Sequence, residues 1–183
     1  VLWTGPSGWG GIDLTPGGSV GGGLRDVSEN LLAGWFWHTW SCYSGGQRWT
    51  CAWQSAGYWD ADTYAFTEAP HGSGPEYDGA NATDGVQVVG TLTYEYSEGN
   101  YTSYAYLWTP PTSGVSLHPS TGASHSHANA VDNGRQYGTI FTPLPGPTAH
   151  AAMWSGSAAS FVDLHPAGSS SSGIYGAGDG QAV

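Results

Sequence analysis

One phrase occurs twice in this chain. Ala105–Gly122 reads AYLWTPPTSGVSLHPSTG and Ala151–Gly168 reads AAMWSGSAASFVDLHPAG. Both give Ala, one residue, an apolar residue and Trp, and both run on to Leu-His-Pro. A chemical signature usually stands once, whereas a recurring phrase marks a supersecondary unit that cannot bury its own apolar face and stacks on copies of itself.

The repeat extends along the whole chain. Its Trp anchors are Trp3 in VLW, Trp53 in CAW, Trp108 in YLW and Trp154 in AMW, at spacings of 50, 55 and 46 residues. The Leu-x-Pro phrase stands at Leu14, Leu117 and Leu164. In the second copy YAFTEAPHG, around Phe66, stands in its place. A third phrase joins a polar Asp/Asn/Gly turn to an apolar pair, with Asp84-Gly85, Asn133-Gly134 and Asp179-Gly180 as hairpin dipeptides. Each unit thus reads as three or four short strands, with Pro ending the ladder after the Leu.

Such a sheet cannot bury both faces alone, and units of about 50 residues with four strands fit propeller blades. The expectation is an all-β single domain over 1–183. It comprises four tandem antiparallel sheet repeats (about 1–50, 51–104, 105–149 and 150–183) arranged as a small β-propeller or related closed ring. A blade completed by both chain ends would close it. Trp3, Trp53, Trp108 and Trp154, with Leu14, Leu117 and Leu164, are the expected repeat core, because a residue recurring at one place in every unit is first a packing residue.

Composition supports this class. Thirty Gly and eleven Pro disfavour long helices, and 14% aromatic against 9% charged residues disfavours disorder. Fourteen acids face three bases, Arg25, Arg48 and Arg135, for a net charge of −11. That balance argues against nucleic acid and anionic membranes, which need basic patches, and leaves other proteins, self-assembly and glycans as partners. No run of 18 apolar residues marks a membrane-inserted helix. No leader is visible, which suits a mature or trimmed chain.

Two cysteines flank a Gly-Gly turn in SCYSGGQRWTC. The expected hairpin sets Cys42 opposite Cys51 and bonds them, which implies an oxidising compartment. Two reduced, buried thiols are the alternative.

These phrases resemble the bacterial extracellular repeat family named for His-Ala-Phe. His150-Ala151-Ala152-Met153-Trp154 is similar to its HAFLW phrase. Val162-Asp163-Leu164 and the run Ile12 to Gly18 are similar to its Asp-Leu strand and Gly-Gly loop. Asp84 to Gly90 and Gly180 to Val183 are similar to its last, Gln-Val-containing strand. The resemblance implies a secreted or surface-bound, propeller-like protein and carries over no catalytic residue.

The unrepeated aromatics are the candidate ligand contacts: Trp35, Trp37 and Trp40 of WFWHTW, and Trp59. Alternation puts Trp35 and Trp37 on one strand face. A Trp-rich contact between units or subunits is the competing use of these rings. Metal sites are weaker readings. His125 and His127 are two apart on a strand without an identifiable third ligand, and Asp60 and Asp62 lack the calcium-loop pattern. Asn81 and Asn100 head glycosylation sequons. No catalytic signature is present, and no cofactor is implied. The expected protein is a non-catalytic, extracellular or cell-surface structural or adhesive module. A lectin with aromatic pockets is the alternative, and a glycoside-active enzyme a third reading.

Overall fold

The structure, a computed structural model, describes residues 2–3, 11–70, 77–97, 100–111, 113–120, 122–143 and 148–183. The described residues are almost entirely β. Sheet one comprises β3 (Ser19–Val27), β4 (Leu31–Ser44), β5 (Gln47–Asp60) and β6 (Phe66–Glu68). Sheet two comprises β7 (Gly79–Thr83), β8 (Val88–Ser97), β9 (Asn100–Thr109) and β10 (Ser113–Ser116). Sheet three comprises β11 (His125–Asp132), β12 (Arg135–Thr142), β13 (Thr148–Trp154) and β14 (Val162–Asp163). Each is an antiparallel meander in chain order. Two short hairpins remain, β1 (Leu2–Trp3) with β2 (Gly11–Ile12), and β15 (Ala177–Gly178) with β16 (Gln181–Ala182). No helix among the described residues is long and apolar enough to cross a membrane.

The repeat has a physical basis in backbone geometry. The first strand of each sheet carries an unpaired extra residue at an equivalent place, Arg25, Asn81 or Asn129, the pattern of a β-bulge; β3 has a second register shift at Val20. Opposite the residue before each bulge stands a glycine, Gly34, Gly90 or Gly138. A Cβ at these glycines would collide with the carbonyls of Gly23, Gly79 and His127 respectively. This is why an apolar pair followed by Gly recurs. The Asp-Leu phrase is an Asx turn: the carboxylate of Asp13 accepts the Thr15 N–H at 2.9 Å, and that of Asp163 the His165 N–H at 2.8 Å.

Register corrects the assignment of the first unit. Trp108 pairs with Val88 and Trp154 with Gln136, at the head of the second strand. The matching partner, Leu32, faces Trp59 and not Trp53. Trp59, Trp108 and Trp154 are all buried, and the indoles of Trp59 and Trp108 donate to the carbonyls of Leu14 (3.0 Å) and Pro70 (2.7 Å). Trp53 instead lies further out on the β4–β5 hairpin. The second copy of the Leu-x-Pro phrase is also present in altered form. The amides of Ala69, Leu117 and Leu164 make equivalent bonds to Ala56, Ala105 and Ala151. Trp3 lies in β1, and its side chain is outside the described part of the structure.

Apolar clusters straddle the seams between successive units. Leu31, Ala33 and Tyr58 of sheet one meet Val88, Leu92 and Trp108 of sheet two. Val89, Leu107 and Leu117 of sheet two meet Ile140 and Trp154 of sheet three. Tyr137 and Ala151 meet Ile174, ahead of β15, and Leu14, after β2, packs on Leu32 and Trp59. Polar contacts repeat too. The Asn81 amide donates to the Ala128 carbonyl and the Asn129 amide to the Ile174 carbonyl, both at 2.9 Å. Asp132 accepts the Gly180 N–H at 2.8 Å, where Asp84 faces the Gly134 N–H at 3.5 Å. The β15–β16 hairpin therefore sits on sheet three as sheet three sits on sheet two. Among the described residues the two short hairpins are not hydrogen-bonded to each other, and no closed sheet is found. Leu164, expected to be buried, is 41% exposed. Leu14 and Leu117 pack on the Trp of the following unit, and no such cover lies over Leu164.

Candidate binding surface

The longest hairpin is the most distinctive surface. Gly45 and Gly46 both take positive φ, +56° and +78°, which lets a two-residue turn match the strand twist. Strand β3 follows β4 only as far as His38, and β6 covers only Gly57–Trp59 of β5. Among the described residues, Thr39–Ala52 therefore stand as a two-stranded ribbon without flanking strands.

The Cys42–Cys51 disulfide is formed, with a Cα–Cα separation of 5.8 Å. The cysteines are diagonal rather than directly opposite, since Cys42 faces Trp49 and Cys51 faces Trp40. The bond braces the ribbon where no neighbouring strand does.

Pairing defines two faces. One carries Phe36, His38, Trp40 and Cys42 opposite Ser55, Trp53, Cys51 and Trp49, and the Glu68 carboxylate stands 3.6 Å from His38 Nε2 at its foot. Trp53 is held between His38 (ring centroids 4.7 Å apart) and Trp40 (4.5 Å). Trp40 and Trp49 are 44% and 46% exposed, an unusual position for indoles. The other face carries Trp35 and Trp37, whose edge-to-face contacts continue through Tyr77 to Tyr101 at about 6 Å steps. The tip adds Tyr43, largely exposed, and Arg48, whose Nε donates to Ser41 at 2.9 Å.

The four expected ligand contacts thus do not form one site. Trp35 and Trp37 share a half-buried face, Trp40 lies on the opposite face, and Trp59 is core at 3% exposure. Trp49 and Trp53 join Trp40 in their place. The Gly-Gly turn together with strict pairing would have placed these three on one face.

Most of the other candidates are hydrogen-bonded within the fold. Asp60 accepts the Asp62 and Thr63 amides and the Thr63 hydroxyl. Those Thr63 bonds hold its carboxyl below the usual value. Asp62 lies in the exposed turn that Asp60 closes. His125 bonds the Ser124 hydroxyl and the Tyr101 carbonyl, and His127 bonds Thr91. Burial pushes His127 down, with His125 adding to the effect. No group of three potential ligands occurs among the described residues. The Asn81 amide nitrogen, the atom a glycan would occupy, donates to the Ala128 carbonyl in the seam between sheets. Asn100 is exposed at the start of β9.

A His–Ser pair occurs twice. Ser126 accepts the Ala105 N–H at 2.9 Å and lies 2.9 Å from His118 Nδ1. Ser172 accepts the Ala151 N–H at 2.9 Å and lies 2.7 Å from His165 Nδ1. Each serine accepts from a backbone amide and shares a hydrogen bond with an imidazole Nδ1. Ser126 is fully buried. The pairs recur at equivalent seams, where their hydrogen bonds tie successive units together.

No protein-family model matches the chain, and neither a curated protein nor a solved structure matches it.

Proposed function

We propose that the protein is a non-catalytic structural or adhesive module of an extracellular or cell-surface setting, built as a four-unit ring that presents the β4–β5 ribbon as its contact surface. The carrying observation is the exposed pair Trp40 and Trp49 on a disulfide-braced ribbon without flanking strands. An aromatic surface of this kind marks an interface, and the disulfide fits an oxidising compartment. The resemblance to His-Ala-Phe repeats points the same way. The recurrence of the His–Ser latches supports a non-catalytic reading.

The ring is supported from both sides of the three-sheet array, by β15–β16 against sheet three and by Leu14 against Trp59. Transferring the register of sheet three pairs Val183 with Leu2. A Leu2→Cys/Val183→Cys variant should form a second intramolecular disulfide, read by intact mass without reduction. Only free thiols, or only cross-linked dimers, would refute the ring.

Sedimentation velocity tests the contact role. Self-association should rise with protein concentration and weaken in Trp40→Ser/Trp49→Ser while the circular dichroism spectrum is kept. The outer part of this face, Trp40, Cys42, Trp49 and Cys51, carries no formally charged side chain, which favours neutral glycans as a second reading. A monomer that binds neutral oligosaccharides through Trp40 and Trp49 would replace self-association with that reading. A monomer that binds none would overturn both.

A further inference from the structure

The first strands of the three sheets and the segment before β15 surround one cavity of about 410 Å³. Its lining repeats. Residues 25–27, 81–83, 129–131 and 175–177 contribute equivalent stretches. Tyr175 completes the set of bulge residues, because the Tyr175 and Gly176 amides both donate to the Val183 carbonyl. A bulge re-aims a side chain out of the regular pleat, and here it sets Arg25, Asn81, Asn129 and Tyr175 around one space. The residues after the last three bulges, Ala82, Ala130 and Gly176, are small and leave that space open.

The polar groups are not equally engaged. Asn81 and Asn129 donate their amide nitrogens to the next unit, which leaves their carbonyl oxygens as acceptors. Asp26 has both carboxylate oxygens on backbone amides, those of Val27 and Thr83. Arg25 makes no hydrogen bond or ion pair among the described residues, in a chain with only three basic residues. A guanidinium offers five donors in a planar fork that fits a carboxylate. The cavity also lies within the ~300–1,000 Å³ usual for small-molecule sites.

We propose that this cavity binds a small hydroxylated monocarboxylate of the sugar-acid class. Arg25 takes the carboxylate, and the Asn81 and Asn129 carbonyl oxygens take the ligand hydroxyls, with the exposed Tyr175 at the rim. The net charge of −11 disfavours polyanions, and the amide acceptors that line the same cavity as Arg25 favour a hydroxyl-bearing ligand over a bare anion. The site is separate from the ribbon, so it does not depend on the ribbon's partner.

Ligand-observed NMR titration with D-glucuronate, D-glucose and inorganic phosphate tests the site, on the wild-type chain and on Arg25→Gln. Arg25 is exposed, so the variant should keep the wild-type melting temperature. Glucuronate should bind saturably and weaken about tenfold or more in Arg25→Gln, with glucose weaker than glucuronate by a similar factor. Glucuronate binding that ignores Arg25→Gln, phosphate binding as well as glucuronate, or no saturable glucuronate binding would each overturn the proposal. Ring closure is read separately by the Leu2–Val183 cross-link, so its failure is distinct from failure of this site.

Discussion

Among single residues, the two tryptophans of β5 make a direct contrast. Trp59 fills a seam and bonds the Leu14 carbonyl, whereas Trp53 leans on His38 and Trp40 at the foot of a ribbon. Trp59→Ala should cost about 3–5 kcal/mol through the cavity it leaves, and Trp53→Ala about 1 kcal/mol of aromatic pairing. Urea unfolding separates them, and equal losses would contradict the register. The seam histidines set a pH response. Burial holds His118 below its ordinary value of 6.5, outweighing its hydrogen bond to Ala123, and His127 is lowered likewise. A lowered histidine means that the unfolded chain takes up the proton first. Stability should therefore be full above pH 6.5 and fall as the pH drops below it toward the folded values. Asp13 and Asp60 are held low by hydrogen bonds from Thr15 and Thr63, so their contribution is present above pH 3.8 and is lost below it. Melting temperature should decline in two stages on acidification, and His118→Gln should reduce the first.

Among elements, the ribbon is the one that rests least on its neighbours. Two-stranded hairpins are marginal in water, and beyond His38 this one has, among the described residues, its ladder, its aromatic pairs, the Arg48–Ser41 hydrogen bond and the Cys42–Cys51 bond. Closing a loop with a sequence separation of 9 should contribute about 2–3 kcal/mol. Reduction should therefore fray Thr39–Ala52 while sheets two and three stay intact. Amide hydrogen exchange before and after reduction would show this, as protection lost in the ribbon and kept at β12. Simultaneous loss of protection in β12 would show that the ribbon supports the whole array. The sheets themselves need Gly34, Gly90 and Gly138, where backbone passes too close for any Cβ. Gly138→Ala should cost about 3 kcal/mol or more, read by urea unfolding, because the clash is with a main-chain carbonyl rather than a yielding side chain.

For the whole molecule, stability is a sum over seams, as in other repeat arrays. Every main apolar cluster bridges two units. With fourteen acids and three bases, the folded array also repels itself. Raising salt from about 0.05 to 0.5 M shortens the screening length from roughly 14 to 4 Å. The melting temperature should rise by a few degrees, about 2–4 °C per kcal/mol at this size. A fall would mean that attractive ion pairs outweigh the repulsion.

The sequence by itself determined the repeat, the all-β class, the hairpin turns and the Cys42–Cys51 pairing, because turn dipeptides and Pro or Gly breaks act locally. It also placed Trp35 and Trp37 on one strand face, since side chains alternate with period two. It did not separate Trp53 from Trp59. The two are six residues apart, an even number, so alternation puts both on the same face and either could head the repeat. Pairing with β6 and packing against Leu14 decided between them. The diagonal disulfide, the exposure of Leu164 and the engagement of Asn81 in a seam were likewise tertiary outcomes. Each depends on which neighbouring unit lies against the strand, and a strand's own residues do not encode that neighbour.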